Sequence, residues 1–375
     1  MPIIKKQTLA IASLAIGLAF LSACGGGADS VGPKASITKV YVMGDSLADV
    51  GTFGLKFTVQ KSGDAKGYPI WPQLIANAVN VDGSAQCNHY TATGTDAFVF
   101  SAATGCTNFA IGGGVITGAV GGATNPKTLN TQLTRSAAVV GSYSSKDLIL
   151  IDGGANDAAA LVTAYLTYMG AGGADGGNYQ AFLNQLAPLP GAPGLDTTTA
   201  PTLAYLYMQK LATTFYGQIK AQTLDVGATR VAVLNMPDIT LTPKFKTVLA
   251  SLGANGPAVQ SAVRLWIGAF NAQLKTSIGS DSRVALVDFY ADFSDEVANP
   301  ASFSLVNVTT PVCTLGANAI ATFSACSDTG LDGAAGKTAG WWKAYAFADD
   351  FHPTPYGHQL LTASVARALA RAGWL

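Results

Sequence analysis

Four short apolar runs restrict this chain more than any other feature: Val40-Tyr41-Val42-Met43, Leu148-Ile149-Leu150-Ile151, Val231-Ala232-Val233-Leu234 and Val284-Ala285-Leu286-Val287. Each is built from β-branched, aromatic and aliphatic residues and is closed by Gly, Asp or Asn, so each reads as a strand. The Leu148–Ile151 run is apolar throughout, which is what a strand buried on both faces requires. Helical segments separate the runs. One starts at Pro69–Ala76, a polar one carries Leu129, Leu133 and Val140, and others cover 202–224 and about 355–370. Val259, Val263, Trp266, Phe270 and Leu274 recur on one helical face, which core packing explains fully. Strand and helix in alternation predict an α/β fold, with helices on both faces of a parallel sheet and a single domain over 38–375. Three polar or Gly-rich insertions interrupt it, near 82–106, 167–200 and 299–340. The second is a poor place for core and a fair place for a lid or substrate-facing loop.

In open α/β sheets ligands bind beyond the carboxyl ends of the strands. Two polar residues stand there. Ser46 follows the first strand in Met43-Gly44-Asp45-Ser46-Leu47, and Asn156 follows the second in Gly153-Gly154-Ala155-Asn156-Asp157. Alone, each is an ordinary turn or capping residue. A nucleophilic serine needs a base, a group that orients the base, and donors for an oxyanion. The chain has three histidines. His89 sits in a polar loop segment and reads as a loop-packing residue. His358 reads as a capping or packing residue of the final helix. His352 has Asp349 three residues earlier, close enough for a carboxylate to hold Nδ1–H and leave Nε2 free. Asp350 competes for that task. Thr107–Gly114 is a short apolar segment ending in three glycines, suited to bringing backbone N–H groups close to a ligand. It is not a dinucleotide loop, because the third required glycine falls on Thr117. Gly336-Lys337-Thr338 is not a phosphate loop, because position 331 is leucine.

Composition bounds the partners. Lys and Arg total 22, as do Asp and Glu, with no basic block, which argues against a nucleic-acid partner. The N-terminus looks like an export signal. Lys5 and Lys6 precede an apolar stretch from Leu9 to Leu21, too short to span a bilayer comfortably. Leu21-Ser22-Ala23-Cys24 resembles the bacterial lipobox, and Gly25-Gly26-Gly27 follows. Residues 1–24 are therefore expected to be a signal peptide, Cys24 a lipidation site tying the protein to a membrane, and 25–37 a flexible tether. By likeness to sorted lipoproteins, the absence of Asp at position 25 points to the outer membrane, with a secreted form as the alternative. Setting Cys24 aside leaves Cys87, Cys106, Cys313 and Cys326, for which three pairings exist. The local pairs Cys87–Cys106 and Cys313–Cys326 are preferred, because each brackets a loop-like segment and export permits disulfides. With no Cys-x-x-Cys, and only His89 near a cysteine, no metal site is expected, and no cofactor.

Four blocks now stand in order: Gly44-Asp45-Ser46-Leu47, Asn108-Phe109-Ala110-Ile111-Gly112-Gly113, Gly154-Ala155-Asn156-Asp157, and Asp349-Asp350-Phe351-His352-Pro353. Together they resemble the GDSL-type SGNH hydrolases, as do Asp49-Val50-Gly51, Asn235-Met236-Pro237-Asp238 and Gly357-His358. The resemblance implies a three-layer α/β/α sandwich of the flavodoxin-like kind with a central parallel sheet. It implies cleavage of carboxylic esters, of lipid or short acyl type, through an acyl-enzyme. Carried over by position, Ser46 is the nucleophile, His352 the base and then acid, and Asp349 its orienter. The oxyanion donors are the N–H groups of Ser46 and Gly113 and the side chain of Asn156, with Gly112 the alternative to Gly113. Met43, Ala48 and Thr52 depart from the family's usual Phe, Ser and Asn, which bears on subgroup rather than chemistry. Two other readings stand beside hydrolysis: acyl transfer to an alcohol by the same residues, and a non-catalytic surface lipoprotein on a hydrolase fold. The second should have lost a block, and none is lost. Substrate preference is expected to depend on the insertions at 167–200 and 299–340, whose apolar content, with Trp341-Trp342, permits an acyl pocket, although a tryptophan pair is more often core.

Overall fold

The four apolar runs form one parallel sheet in a computed structural model that describes residues 36–118, 122–174, 177–313 and 323–375. The signal segment, Cys24 and most of the tether lie outside the described residues, as does 314–322 of the last insertion. In chain order the strands are β1 (Lys39–Met43), β2 (Tyr90–Ala92), β3 (Phe98–Phe100), β4 (Asp147–Ile151), β5 (Val231–Leu234) and β6 (Val284–Val287). The sheet order is β1-β4-β5-β6, every pair parallel. The segment 107–111 runs along the free edge of β1. Val42 N–H donates to Thr107 O (3.0 Å), and the N–H groups of Phe109 and Ile111 donate to Val42 O (2.7 Å) and Gly44 O (3.2 Å). The chain thus leaves β1 toward one side and returns to β4 on the other. The crevice beyond β1 is the switch point of the sheet, the place where such folds hold their ligands.

Successive side chains of a strand point to opposite faces, and here both faces are covered. Tyr41, Met43, Ile149, Ile151, Val231 and Val233 join one core with α2 (Leu129–Val140), α3 (Ala155–Gly170), α5 (Ala200–Gln222) and α7 (Gly256–Ile278). Val40, Val42, Leu148, Leu150, Ala232, Leu234 and Val287 join the other with α1 (Trp71–Ala78), α8 (Phe289–Ala298) and α10 (Pro355–Arg371). The short helices α4 (Asn178–Leu183), α6 (Pro243–Ser251) and α9 (Asp328–Asp332) complete the set used here. The α7 face is buried at Val263, Trp266, Phe270 and Leu274, as its spacing predicts. α10 starts where Thr354 Oγ1 accepts from Gly357 N–H (3.1 Å) and Pro355 needs no donor. No described helix is long and apolar enough to cross a membrane.

Two expectations need correction. The 167–200 insertion is not poor in core: Tyr168, Tyr179, Leu183 and Leu186 are buried, and Tyr179 OH donates to Ala200 O (2.8 Å). Its glycines and alanines mask four large side chains that join the core shared with α5. The 82–106 insertion is not only loop, since β2 and β3 pair antiparallel within it. Disulfides join Cys87 to Cys106 and Cys313 to Cys326. Cross-links of this kind persist in oxidising compartments, which places the chain among exported proteins.

One polar residue of α2 grips the end of β1. Gln132, fully buried, accepts from Gly44 N–H (2.8 Å) and donates to Gly44 O (3.0 Å). Gly44 O has a second donor in Ile111, whereas Gly44 N–H has Gln132 alone among the described residues. Replacing Gln132 by Leu therefore orphans one buried N–H, and the expected loss is about 1–3 kcal/mol. Urea unfolding of the two proteins measures it, and a loss below about 0.5 kcal/mol, the size of an ordinary surface substitution, would show that the grip does not matter.

Candidate active site

The turn after β1 carries Ser46, and the turn before α10 carries Asp349 and His352. Ser46 Oγ lies 2.7 Å from His352 Nε2, across 306 positions of sequence. His352 Nδ1 lies 2.9 Å from Asp349 Oδ2. Asp349 Oδ1 accepts from the N–H groups of Phe351 (2.8 Å) and His352 (2.5 Å). The turn closes on itself through Ala348 N–H to His352 O (2.8 Å). Burial pushes the Asp349 carboxyl up, but the neighbouring imidazole and these donors outweigh it and hold the group below its ordinary value. Asp350 does not compete. It is half-exposed, and burial and then the Asp349 charge push it the other way. The His352 ring is enclosed by Phe57, Phe323 and Phe351, with centroids at 5.1, 5.5 and 5.7 Å. The imidazole is thereby locked in orientation with one nitrogen on each partner.

Three turns meet at Ser46. Asp45 N–H donates to Asp152 Oδ1 (3.3 Å) and Leu47 N–H to Asp45 Oδ1 (3.0 Å), while Ser46 N–H has no partner among the described residues. Gly114 packs so tightly that a Cβ there would stand 2.7 Å from Gly44 O, which explains a glycine at this position. Gly112 N–H is already given to Asp49 Oδ2 (2.8 Å). Gly113, at φ +77°, keeps its N–H unpartnered among the described residues and is exposed. Of the two glycines left open by sequence, Gly113 is the one with a donor to offer. Asn156, in the first turn of α3, donates to Gly114 O (2.9 Å) through one amide hydrogen. Its other contact, to Asp45 Oδ2, is long at 3.4 Å, so that hydrogen is available to a better acceptor.

Several residues of this site carry no sequence signal. Gln132, Phe57 and Phe323 look like any polar or aromatic residue in a helix or loop. Asp49 binds the N–H groups of Gly51, Thr52 and Gly112 and the Asn88 amide, so the Asp49-Val50-Gly51 segment works as a brace for the glycine loop. Asp152, at the end of β4, is pushed well above the ordinary carboxylate value by burial and then by the Asp45 charge. Its Oδ1 accepts from Asp45 N–H and stands against the Gly44 backbone. His89 accepts from Arg135 Nε (2.9 Å) and stacks on Phe109 (4.6 Å), in keeping with a packing role. His358 is fully buried with neither ring nitrogen bonded, and burial lowers it to about 3, so it is neutral. Among the described residues no three His, Cys, Asp or Glu side chains group as metal ligands.

A pocket opens beside Ser46, with a volume of about 60 Å³ and a largely apolar wall that includes Ile239, Phe289, Phe293, Phe347 and Leu361. Neither the 167–200 insertion nor the described part of 299–340 lines it directly, although Leu305 of the latter packs with the wall residues Ala346 and Phe347. Trp342 is buried in a separate cluster with Leu55, Val59 and Leu331, against which Trp341 packs, as the core reading of the pair expects. Sequence separation hid the pocket wall, because it is assembled from α8, α10 and the turns beside β5 and His352.

No curated protein matches the chain. The family described as GDSL-like Lipase/Acylhydrolase matches residues 40–365, from within β1 to within α10. That span takes in every segment that meets at Ser46, and the chain belongs to the GDSL-like lipase/acylhydrolase family of carboxylic ester hydrolases.

Proposed function

We propose that this protein is a serine esterase that cleaves short acyl esters through a covalent intermediate on Ser46. The observation that carries the reading is the unbroken chain from Ser46 Oγ to His352 Nε2 (2.7 Å) and from His352 Nδ1 to Asp349 (2.9 Å). In this reading His352 takes the hydroxyl proton as Ser46 Oγ bonds to the ester carbonyl carbon. Asp349 stabilises the imidazolium that forms and keeps its ring in place. The carbonyl oxygen becomes an oxyanion and draws the N–H groups of Ser46 and Gly113 and the free hydrogen of Asn156. Collapse expels the alcohol, which leaves with the proton from His352. Water then enters and gives a proton to His352 as its oxygen bonds to the acyl carbon; collapse breaks the bond to Ser46 Oγ, which takes the proton back from His352, and the acid is released.

The pocket supports the choice of substrate size. About 60 Å³ accepts roughly four to six water-sized groups, so a short acyl chain fits against its apolar wall. The lipobox-like Leu21-Ser22-Ala23-Cys24 supports an anchor on Cys24, so that the enzyme works at a membrane surface outside the cytoplasm.

Ser46→Ala is expected to lower kcat on p-nitrophenyl butyrate by at least about 10⁴-fold while leaving the folded state intact. Full activity in that protein would sink the proposal. Asn156→Ala is expected to cost about 10²–10³ in kcat with KM nearly unchanged, the signature of a donor used only in the transition state. A rise in KM at constant kcat would assign Asn156 to ground-state binding instead. Cys24→Ser is expected to end incorporation of labelled fatty acid and to release the protein from membrane fractions. Continued labelling would place the anchor elsewhere.

A further inference from the structure

Of the polar side chains that line the pocket besides Ser46, Asp45 accepts from Leu47 N–H and Thr242 donates to Ile239 O, which leaves Glu296. Glu296 follows Phe289 and Phe293 on α8 at i+7 and i+3, on the same helical face, and all three line the pocket. Its neighbours on that wall are apolar, among them Phe347 and Leu360. Glu296 is only 7% exposed. No described residue donates a hydrogen bond to its carboxyl, and its oxygens are not among the polar atoms sealed away from open space. The cation that acts on it, Arg367, gives its guanidinium to Asp292 (2.9 Å) and Ser364 (3.2 Å). A carboxyl buried beside apolar surface without a partner keeps its proton. Here burial, and then Asp292 with a further push from Asp295, raise Glu296 to about 8 against the pull of Arg367. Its place in the last turn of α8, at the negative end of the helix dipole, acts in the same direction.

A neutral carboxyl offers one O–H donor and one carbonyl acceptor. That pair matches a hydroxyl and is wasted on a methylene. A site built to hydrogen-bond a substrate hydroxyl discriminates strongly against the analogue that lacks it, because its own polar group is then left unpaired. We propose that Glu296 is a specificity-determining residue that hydrogen-bonds a hydroxyl carried on the acyl chain, so that short hydroxyacyl esters are the preferred substrates. The proposal rests on the reading of Ser46 as nucleophile and of the adjoining pocket as the acyl site.

The test compares kcat/KM for methyl butyrate and methyl hexanoate with their mono-hydroxylated counterparts, the hydroxyl placed at each carbon from 3 outward, by titrating the acid released. In the wild-type protein at pH 6.5 at least one hydroxyacyl ester is expected to exceed its plain counterpart tenfold or more. Glu296→Leu should bring that ratio to about one or below, losing on the hydroxylated ester and gaining on the plain one. Glu296→Gln keeps a donor and an acceptor and should hold the ratio within threefold of wild type. As pH rises through about 8 the wild-type ratio should fall, because the ionised carboxylate sheds its donor, while the Gln variant stays level. Any effect of pH common to both esters cancels in the ratio. A wild-type protein without preference overturns the proposal, as does a Leu variant that slows both esters equally. Methyl 6-aminohexanoate guards against a cation site: a preference for it that both Leu and Gln abolish would also overturn the proposal. The ratio is read in proteins that keep Ser46, so failure of the nucleophile assignment shows itself separately, as turnover that survives in Ser46→Ala.

Discussion

The backbone of Gly44 is enclosed on several sides at once. Gln132 pairs with both its N–H and its carbonyl, Ile111 N–H donates to the same carbonyl, and Gly114 presses against it without room for a Cβ. Asp152 fills the space where a Gly44 side chain would stand, since a Cβ there would collide with its Oδ1. This one residue ties the end of β1 to α2, to the 107–114 segment and to the end of β4. Ser46 stands two residues later, in a turn with little freedom left. A side chain placed by a fixed backbone needs little reorganisation to act, which is the condition under which nearby dipoles and donors count most.

The polar chain from Ser46 to Asp349 depends on an apolar setting. Phe57, Phe323 and Phe351 surround the His352 ring, and Asp349 is 1% exposed. Removing water strengthens each charge-assisted contact and makes any unpaired one costly. Asp349 meets that demand by accepting from the imidazole and from two backbone N–H groups. Phe323 comes from the last insertion, in the loop closed by Cys313–Cys326. The insertion thus packs against the His352 ring through Phe323 and against the pocket wall through Leu305. His358 shows the other answer to burial, since it is held in its uncharged form, and Asp152 is pushed the same way by burial and the Asp45 charge.

The strands and most of the helices were legible in the sequence because their apolar pattern is strong and local. Val263, Trp266, Phe270 and Leu274 repeat with the helix, and Leu148–Ile151 is apolar without a break. The β2–β3 hairpin was not legible, because its few strand residues are diluted by Gly, Ser and Thr. Tyr168 and Tyr179 were hidden for the same reason, inside a stretch whose composition resembles a loop. The segments that hold Ser46, Asn156, Asp349 and His352 could be read, since each follows a strand or precedes a helix. Spacing could not choose between Asp349 and Asp350, or between Gly112 and Gly113. Those choices turn on where a side chain points and on which N–H is already used.

Sequence alone determined the alternation of strand and helix, the parallel sheet, and the few residue types able to support acyl chemistry at its edge. These follow from periodicity and from local turn chemistry, which act over a handful of residues. Only the tertiary structure decided that Gly112 N–H is taken by Asp49, that Gln132 holds Gly44, and that the pocket beside Ser46 is walled by α8 and α10. Each of those joins residues far apart in the chain, through contacts that exist only after the two faces of the sheet are covered. The lone carboxyl of Glu296 belongs with them, because its chemistry is set by the apolar wall around it and not by its neighbours in sequence.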